Sequence, residues 1–307
     1  MIDVVGREIC IEGRLLRTAY PHGDRYCFLD DPAPVVNALR AYGTRVELFT
    51  FGQRLADAEP KFDYPVEWDN LAVLPVTTFD NWWTHQIGNK TRNEVRLAEK
   101  RAVVVREAPF DESLLAGIRD IYNECPIRQR RRFPHFGKDL DAVRRDEATF
   151  LNTSIFIGAF VEGKLIGFVK LVPDETCTQA GLMNILSMRK HRNKAPQNAL
   201  IAYAVRACAN RGIRFLVYSK FDYGNKRNDG LRAFKEHNGF RRVETPRYYV
   251  PLTPIGWIAF HLGLHRGLSD RIPSPIAGML RHARAAWYEH RYRSVMKPVQ
   301  RTGYSHS

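Results

Sequence analysis

Residues 189–200 read RKHRNKAPQNAL and place four cations, Arg189, Lys190, Arg192 and Lys194, within six positions. Arginine binds phosphate through a planar fork and lysine as a point charge. Gln197 and Asn198 follow as amide donors, after Pro196. The segment LMNILSM before the loop reads as a buried strand, and ALIAYAVRACANRG after it as a helix. A loop opening a helix offers an anion free N–H groups and the positive end of the helix dipole. Pro196 suits the first helical turn, where a missing N–H costs nothing. These residues point to a site for a phosphate-bearing ligand, with a solvated basic turn as the alternative.

Three further groups carry possible chemistry. RQRRRF at 128–133, with Phe133, Phe136 and Tyr223, combines cations and aromatics as an RNA-binding rim would. His261 and His265 stand four apart, but a metal site needs a third ligand and the chain has no HExxH, so no metal is expected. Around them, Trp257, Ile258, Phe260, Leu262, Leu264 and Leu268 form an apolar stretch with basic residues downstream through Arg293 and Lys297. Such an element either lies on an anionic bilayer, through residues 254–300, or packs on the core.

The charge balance supports an anionic partner. The net charge is +14, and it is uneven. Residues 1–75 carry eight Lys or Arg against twelve Asp or Glu, residues 185–250 carry fifteen against four, and residues 251–307 eight against two. One-signed charge concentrates an oppositely charged partner, here a nucleotide-like cofactor, tRNA, a phosphorylated sugar or a phospholipid surface. Five scattered cysteines without a CxxC pair argue against structural zinc and disulfides and fit a reducing cytoplasm. No apolar run reaches the roughly 18–20 residues of a membrane span, and MIDVVGREIC lacks signal-peptide zones. The expected location is cytoplasmic, with peripheral contact at the inner face of the membrane as an addition.

These side chains are positioned by a mixed pattern of elements. EICIEGRLL, RYCFLDD, RVELFTFG and VEWDNLAVLPV read as strands, with VVNALRAYG a short helix ended by Gly43. TTFDNWWTHQIGNKTRNEVRLAEKRA reads as a helical joint. Thr91 and Glu94 have capping-box spacing there, and Arg92, Arg96 and Lys100 share one face, either solvated or a wall of an anion site. From 102 to 252 the pattern gives a strand, two helices, three strands, a helix, a strand, a helix and a closing strand or pair. Gly212 and Gly239 stop the last two helices. Three regions are expected: a β-rich part over 1–88, a main domain over 89–252 and a basic C-terminal extension over 253–307. The first is a degenerate repeat, an acceptor lid or a dimerisation piece.

That order, together with NDGLRAFKEHNGF (Asn228–Phe240), resembles the GNAT acyltransferase family. The joint NKTRNEVRLAEKRAVVV and the Phe234–Lys235 pair are similar to the FemAB-like subgroup of aminoacyl transferases and surface-polysaccharide proteins. The resemblance covers about half the chain. It implies an α/β (α+β) fold, a mixed sheet flanked by helices, with a donor site between two splayed strands, LMNILSM and RFLVYSK. It implies N-acyl transfer from acetyl-CoA or another acyl-CoA, or from an aminoacyl-tRNA, to an amine such as an amino sugar or a lipid-linked cell-envelope precursor. Leu186, Met188, Arg189, Lys190, Arg192, Lys194, Gln197, Asn198, Asn225 and Asn228 would hold the donor. The family's loop carries glycines that let the backbone approach phosphates; RKHRNKAPQNAL has none. The family's acid, a tyrosine, corresponds to Lys235, which acts as an acid when burial lowers its pKa; a solvated surface lysine is the alternative. Tyr223 and Tyr248 are further acid candidates, beside Tyr218 and Tyr249. The glycine-free loop and the lysine also suit a second reading, an inactive module of the same fold that binds an anionic partner.

Overall fold

The computed structural model describes residues 1–41, 46–55, 59–129, 131–223 and 230–266, with 283, 284, 286–288 and 290–292 from the C-terminal segment. The N-terminal part comprises β1 (Ile2–Val4), β2 (Arg7–Glu12), β3 (Thr18–Pro21), α1 (Ala33–Ala41), β4 (Leu48–Gly52) and β5 (Val66–Pro75). A joint follows: α2 (Phe79–Asn81), a π-helical turn Trp82–Gln86 and α3 (Asn89–Lys100). Then come β6 (Val104–Glu107), α4 (Glu112–Asn123), the short β7 (Ile127–Arg128) and β8 (Arg131–Arg132), and α5 (Leu140–Glu147). The chain continues with β9 (Ile155–Val161), β10 (Lys164–Pro173), β11 (Gln179–Ser187), a 3-10 turn Arg189–Lys194, α6 (Pro196–Asn210), β12 (Phe215–Lys220), α7 (Gly230–His237), β13 (Arg241–Pro251) and α8 (Pro254–His261).

Eleven strands form one mixed sheet in the order β1-β2-β3-β4-β13-β5-β12-β11-β10-β9-β6. The expected mixed sheet flanked by helices is present. β5, from the N-terminal part, lies between β12 and β13 and pairs antiparallel with both. The N-terminal seventy-five residues and the C-terminal half therefore share one hydrogen-bonded sheet.

The helices form where sequence periodicity and caps agree. Asp111 accepts from Leu114 N–H to open α4, which buries Leu114, Leu115, Ile118, Ile121 and Tyr122. α6 starts on Pro196 and lays Ala199, Leu200, Ala204 and Ala207 against the sheet. It ends in a Schellman turn, with Ile213 N–H on Cys208 O (3.0 Å) and Gly212 N–H on Ala209 O (3.2 Å), at Gly212 φ 69°. α7 ends alike, with Phe240 N–H on Lys235 O (3.0 Å) and Gly239 at φ 88°.

Two expectations fail for identifiable reasons. RYCFLDD is not a strand: Gly23 takes φ 70°, and Tyr26 and Cys27 N–H both bond to its carbonyl (2.7 and 2.8 Å). The turn lets Tyr26 lie over Gly181, where a Cβ would come within 2.3 Å of the ring. Thr91 and Glu94 do not form a capping box, because α3 begins two residues earlier at Asn89. Thr91 is buried instead, and its hydroxyl donates to His237 O (2.7 Å). Arg92 also differs from an anion-site wall. Its guanidinium donates to Trp83 O (2.7 Å) and Ile87 O (3.0 Å), closing carbonyls that the joint leaves open.

Candidate active site

β11 and β12 pair in parallel at only three positions, Gln179–Phe215, Ala180–Leu216 and Gly181–Val217. Beyond them each strand slips against its outer neighbour. β11 shifts register on β10 between Lys170 and Leu171, and β12 shifts on β5 between Val217 and Lys220. A bulge bends the strand that carries it. Two bulges on either side of one pairing open the strands into a V. Ser219, inside the second bulge, has φ 51°, a left-handed conformation that costs a non-glycine residue free energy.

The 3-10 turn Arg189–Lys194 and the first turn of α6 close one end of the V. Ala195 joins them at φ 49°, the left-handed geometry that a glycine would take without strain. The predicted donor residues divide here. Lys190 and Arg192 are exposed, and Lys194, Gln197 and Asn198 are half-buried at the helix start. The Arg189 guanidinium turns away, to Cys125 Sγ (3.2 Å) and Ile127 O (3.5 Å). The backbone N–H groups of Arg189 and Lys190 donate to the Glu124 carboxylate at 2.6 and 3.0 Å, so an internal anion already occupies them. Met188 and Leu186 pack into the α4 core, and Met188 N–H donates to Ile166 O (2.8 Å). Asn225 and Asn228 lie outside the described residues. Burial and the neighbouring Lys190 and Lys194 hold the His191 pKa down.

Lys235 is fully buried, which overturns the solvated alternative. Its ammonium donates to Lys220 O at the end of β12 and stands 5.0 Å from the Tyr218 ring centre and 4.7 Å from that of Tyr223. Burial raises the pKa of the Tyr218 hydroxyl. Lys235, Tyr218 and the exposed Tyr223 are thus brought together at β12. Tyr248 does not join them. It stacks on Phe51 in the N-terminal core, and its hydroxyl donates to Gln53 Oε1 (2.6 Å) and accepts from Lys61 N–H (2.7 Å). Tyr249 packs on Phe260 and His265.

A second cleft, which the sequence reading did not anticipate, lies where β12, β5, β13 and the end of β4 meet the 24–28 loop. It encloses ≈ 490 Å³ of space not filled by protein, open solvent at its mouth included, and Asp24, Arg25, Asp69, Lys220 and Arg247 supply its charged groups, with Ser219 and Thr245 adding hydroxyls. Arg247 bonds Asp24 (2.8 Å) and Asp69 (2.5 Å), and Lys220 reaches Asp69 at 3.2 Å. Burial pushes the Asp69 pKa up, but Arg247 and Lys220 outweigh it and hold the carboxylate ionised below its usual range. Arg25 donates to Ser219 Oγ at 2.7 Å. The sequence signal for this cleft was obscured because Arg25 opens the segment read as a strand, RYCFLDD, and Asp24 stands directly before it.

The remaining candidates have structural partners. Phe133 is buried and Phe136 packs half-buried in the α4 cluster, so neither offers a free stacking face to RNA. Arg128 lies over the Phe133 ring and donates to Ser187 O and Ile121 O, both at 2.9 Å. His265 Nε2 meets Glu67 at 2.9 Å, whereas His261 Nδ1 faces Trp257 O of its own helix at 2.9 Å. Among the described residues no three His, Cys, Asp or Glu side chains stand together as a metal site would require. No described helix is long and apolar enough to cross a membrane.

No family model matches the sequence, and no curated relative is found. Solved structures do match in fold. The C-terminal domain of a putative lysylphosphatidylglycerol synthetase from Agrobacterium fabrum superposes with TM-score 0.54 at 12% identity, over 82% of each chain. The structure of L-PGS from Bacillus licheniformis gives 0.54 at 16% identity, over 84% of this chain and 86% of that one. FemX gives 0.57 at 11% identity, over 83% and 86%. At such identities the likeness is one of fold. The chain shares the fold of these three proteins, a mixed sheet flanked by helices in which β11 and β12 part after three paired positions.

Proposed function

We propose that the protein transfers an acyl or aminoacyl group to an amine acceptor. The observation that carries this reading is the V between β11 and β12, with Lys190, Arg192, Lys194 and the start of α6 at one end and buried Lys235 along β12. The donor is an acyl-CoA or an aminoacyl-tRNA, both of which bring phosphates to the α6 end. The acceptor class is an amine, such as an amino sugar or a lipid-linked cell-envelope precursor, and the work is done at the cytoplasmic face of the membrane. The amine nitrogen attacks the donor carbonyl, a C–N bond forms, and the C–S or C–O bond breaks. The proton lost by the amine is balanced by one delivered to the leaving thiolate or alkoxide, from Lys235 or Tyr223. The protein's own contribution is proximity and stabilisation of the oxyanion.

The likeness in fold to FemX and to L-PGS supports acyl or aminoacyl transfer in general. Acyl-CoA and a mixed aminoacyl-tRNA pool, each labelled in the acyl group and offered with a panel of amines, test the proposal. Turnover with one donor is expected, and Lys235→Met should lower it by about 10²–10⁴-fold. Absence of turnover with both donors rejects the transferase reading. One observation favours a second reading, an inactive module binding RNA, a nucleotide or a membrane surface: Glu124 already fills the N–H groups of Arg189 and Lys190. Turnover of any donor retires it.

A further inference from the structure

α8 is held firmly but covers little. Thr253 Oγ1 accepts from Gly256 N–H at 3.1 Å, Pro254 occupies the first turn, and Gly256 and Ala259 are its buried residues. A Cβ at Gly256 would stand 1.9 Å from Glu47 O, so the helix backbone lies directly on the chain leading into β4. Below it, Phe260 stacks on His265, and His265 and Arg266 both bond Glu67. The other face carries Ile255, Trp257, Ile258, Leu262 and Leu264, each between 49% and 66% exposed. Scattered apolar residues on a surface need no explanation; five within ten positions on one seated element do.

The charge of the C-terminal residues, read from the sequence, selects the partner. Residues 251–307 carry eight Lys or Arg against two Asp or Glu. Arg266 is largely exposed, and exposed Trp287 has the Arg291 guanidinium 5.2 Å from its ring centre. Tryptophan settles at the boundary of lipid and water, and arginine beside it reaches headgroup phosphates. A second copy of this chain would bring the same positive segment and be repelled. We propose that α8 and the turn to Leu264 form a docking face for an anionic bilayer, with Trp257, Ile258 and Leu262 entering the headgroup layer and the net positive charge of residues 251–307 drawing the face to anionic lipid. This face needs no step of the transfer chemistry.

The test uses the full chain and sedimentation with vesicles of phosphatidylcholine alone, or mixed with phosphatidylglycerol. Wild type should bind the mixed vesicles about tenfold or more tightly than the neutral ones, and added salt should weaken that binding. The triple variant Trp257→Glu, Ile258→Glu, Leu262→Glu should lose about tenfold or more on mixed vesicles. Its thermal midpoint should stay close to that of wild type, since no core contact is removed. Equal binding of variant and wild type, equal binding to both vesicle types, or no binding by wild type overturns the proposal. A concentration-dependent dimer abolished by the triple variant would assign the face to self-association and overturn it too. Turnover with a soluble acceptor should be unchanged in the variant, so failure of docking and failure of the transferase reading are read separately.

Discussion

Glu147 provides a stringent test of the buried chemistry that supports the V. Its carboxylate is 1% exposed, accepts from the Tyr122 hydroxyl at 2.5 Å, and lies 3.1 and 3.2 Å from Asn184 Nδ2. Nearby, the fully buried Lys170 ammonium donates to Glu147 O (2.8 Å), Thr149 O (2.6 Å) and Thr149 Oγ1 (3.1 Å). Lys170 and Asn184 are cross-strand partners beside the β10–β11 register shift. Desolvating a carboxylate costs several kcal/mol, and hydrogen bonds to a charged group return about 1.5–3 kcal/mol each. The two nearly cancel, which makes the charge dispensable and the hydrogen bonds not. Glu147→Gln, with the Asn184 amide turned to accept, should cost about 1 kcal/mol or less at neutral pH. Glu147→Ala removes the partner of Tyr122 and the charge facing Lys170, and should cost about 3–5 kcal/mol. Burial raises the Glu147 pKa from its ordinary 4.5, against Tyr122, Lys170 and Asn184. The folded state therefore keeps this proton to higher pH than the unfolded chain. Its contribution is complete below 4.5 and is lost as pH rises through the folded value. Urea unfolding of wild type and Glu147→Gln from about pH 4 to about pH 8 should show that fall in wild type and its absence in the variant. Parallel pH profiles, or a Gln variant as unstable as the Ala variant, would refute the reasoning.

Three further outcomes are expected. Ala195→Gly should raise stability by about 0.5–1 kcal/mol in thermal melts, because release of the left-handed strain at φ 49° exceeds the entropy glycine loses on folding. Glu124→Gln removes the anion held on the Arg189 and Lys190 N–H groups, and titration with pyrophosphate should show about tenfold tighter binding; unchanged affinity would place phosphate elsewhere. Arg247→Met strands the carboxylates of Asp24 and Asp69 in a largely buried setting and should cost about 3–5 kcal/mol by urea unfolding at neutral pH. Part of that loss should be recovered as pH falls and Asp69, no longer held ionised by Arg247, takes up a proton.

Much of the scaffold was legible because local signals agreed. Asp111 before the apolar face of α4, Pro196 opening α6, and Gly212 and Gly239 in left-handed stops each state an element boundary in one or two residues. The loop cations were legible by type alone. Their directions were not, since Arg189 turns to Cys125 and Ile127, residues distant in sequence. Lys235 reads as a surface lysine by composition, and it is buried because the end of β12 supplies a carbonyl and two tyrosine rings. The Asp24–Arg247–Asp69 cluster joins residues 223 and 178 positions apart. No periodicity reports such a contact.

The bulge in β12 explains how one strand can serve two cavities. In a regular strand successive side chains alternate between faces. Here Tyr218 packs with Phe240 and Lys235 on the α7 side, while Ser219 lines the cleft with Arg25 on the other. Lys220 contributes to both: its carbonyl receives Lys235, and its ammonium meets Asp69 in the cleft. The backbone of 218–220 therefore stands between the α7 side and the cleft. The left-handed Ser219 shapes that short segment. The N-terminal part is more than an appendage, because β5, Asp24 and Arg25 build one wall of that cleft. The same placement explains why β5 must be inserted between β12 and β13: without it the cleft would have no floor and the bulge no partner to slip against.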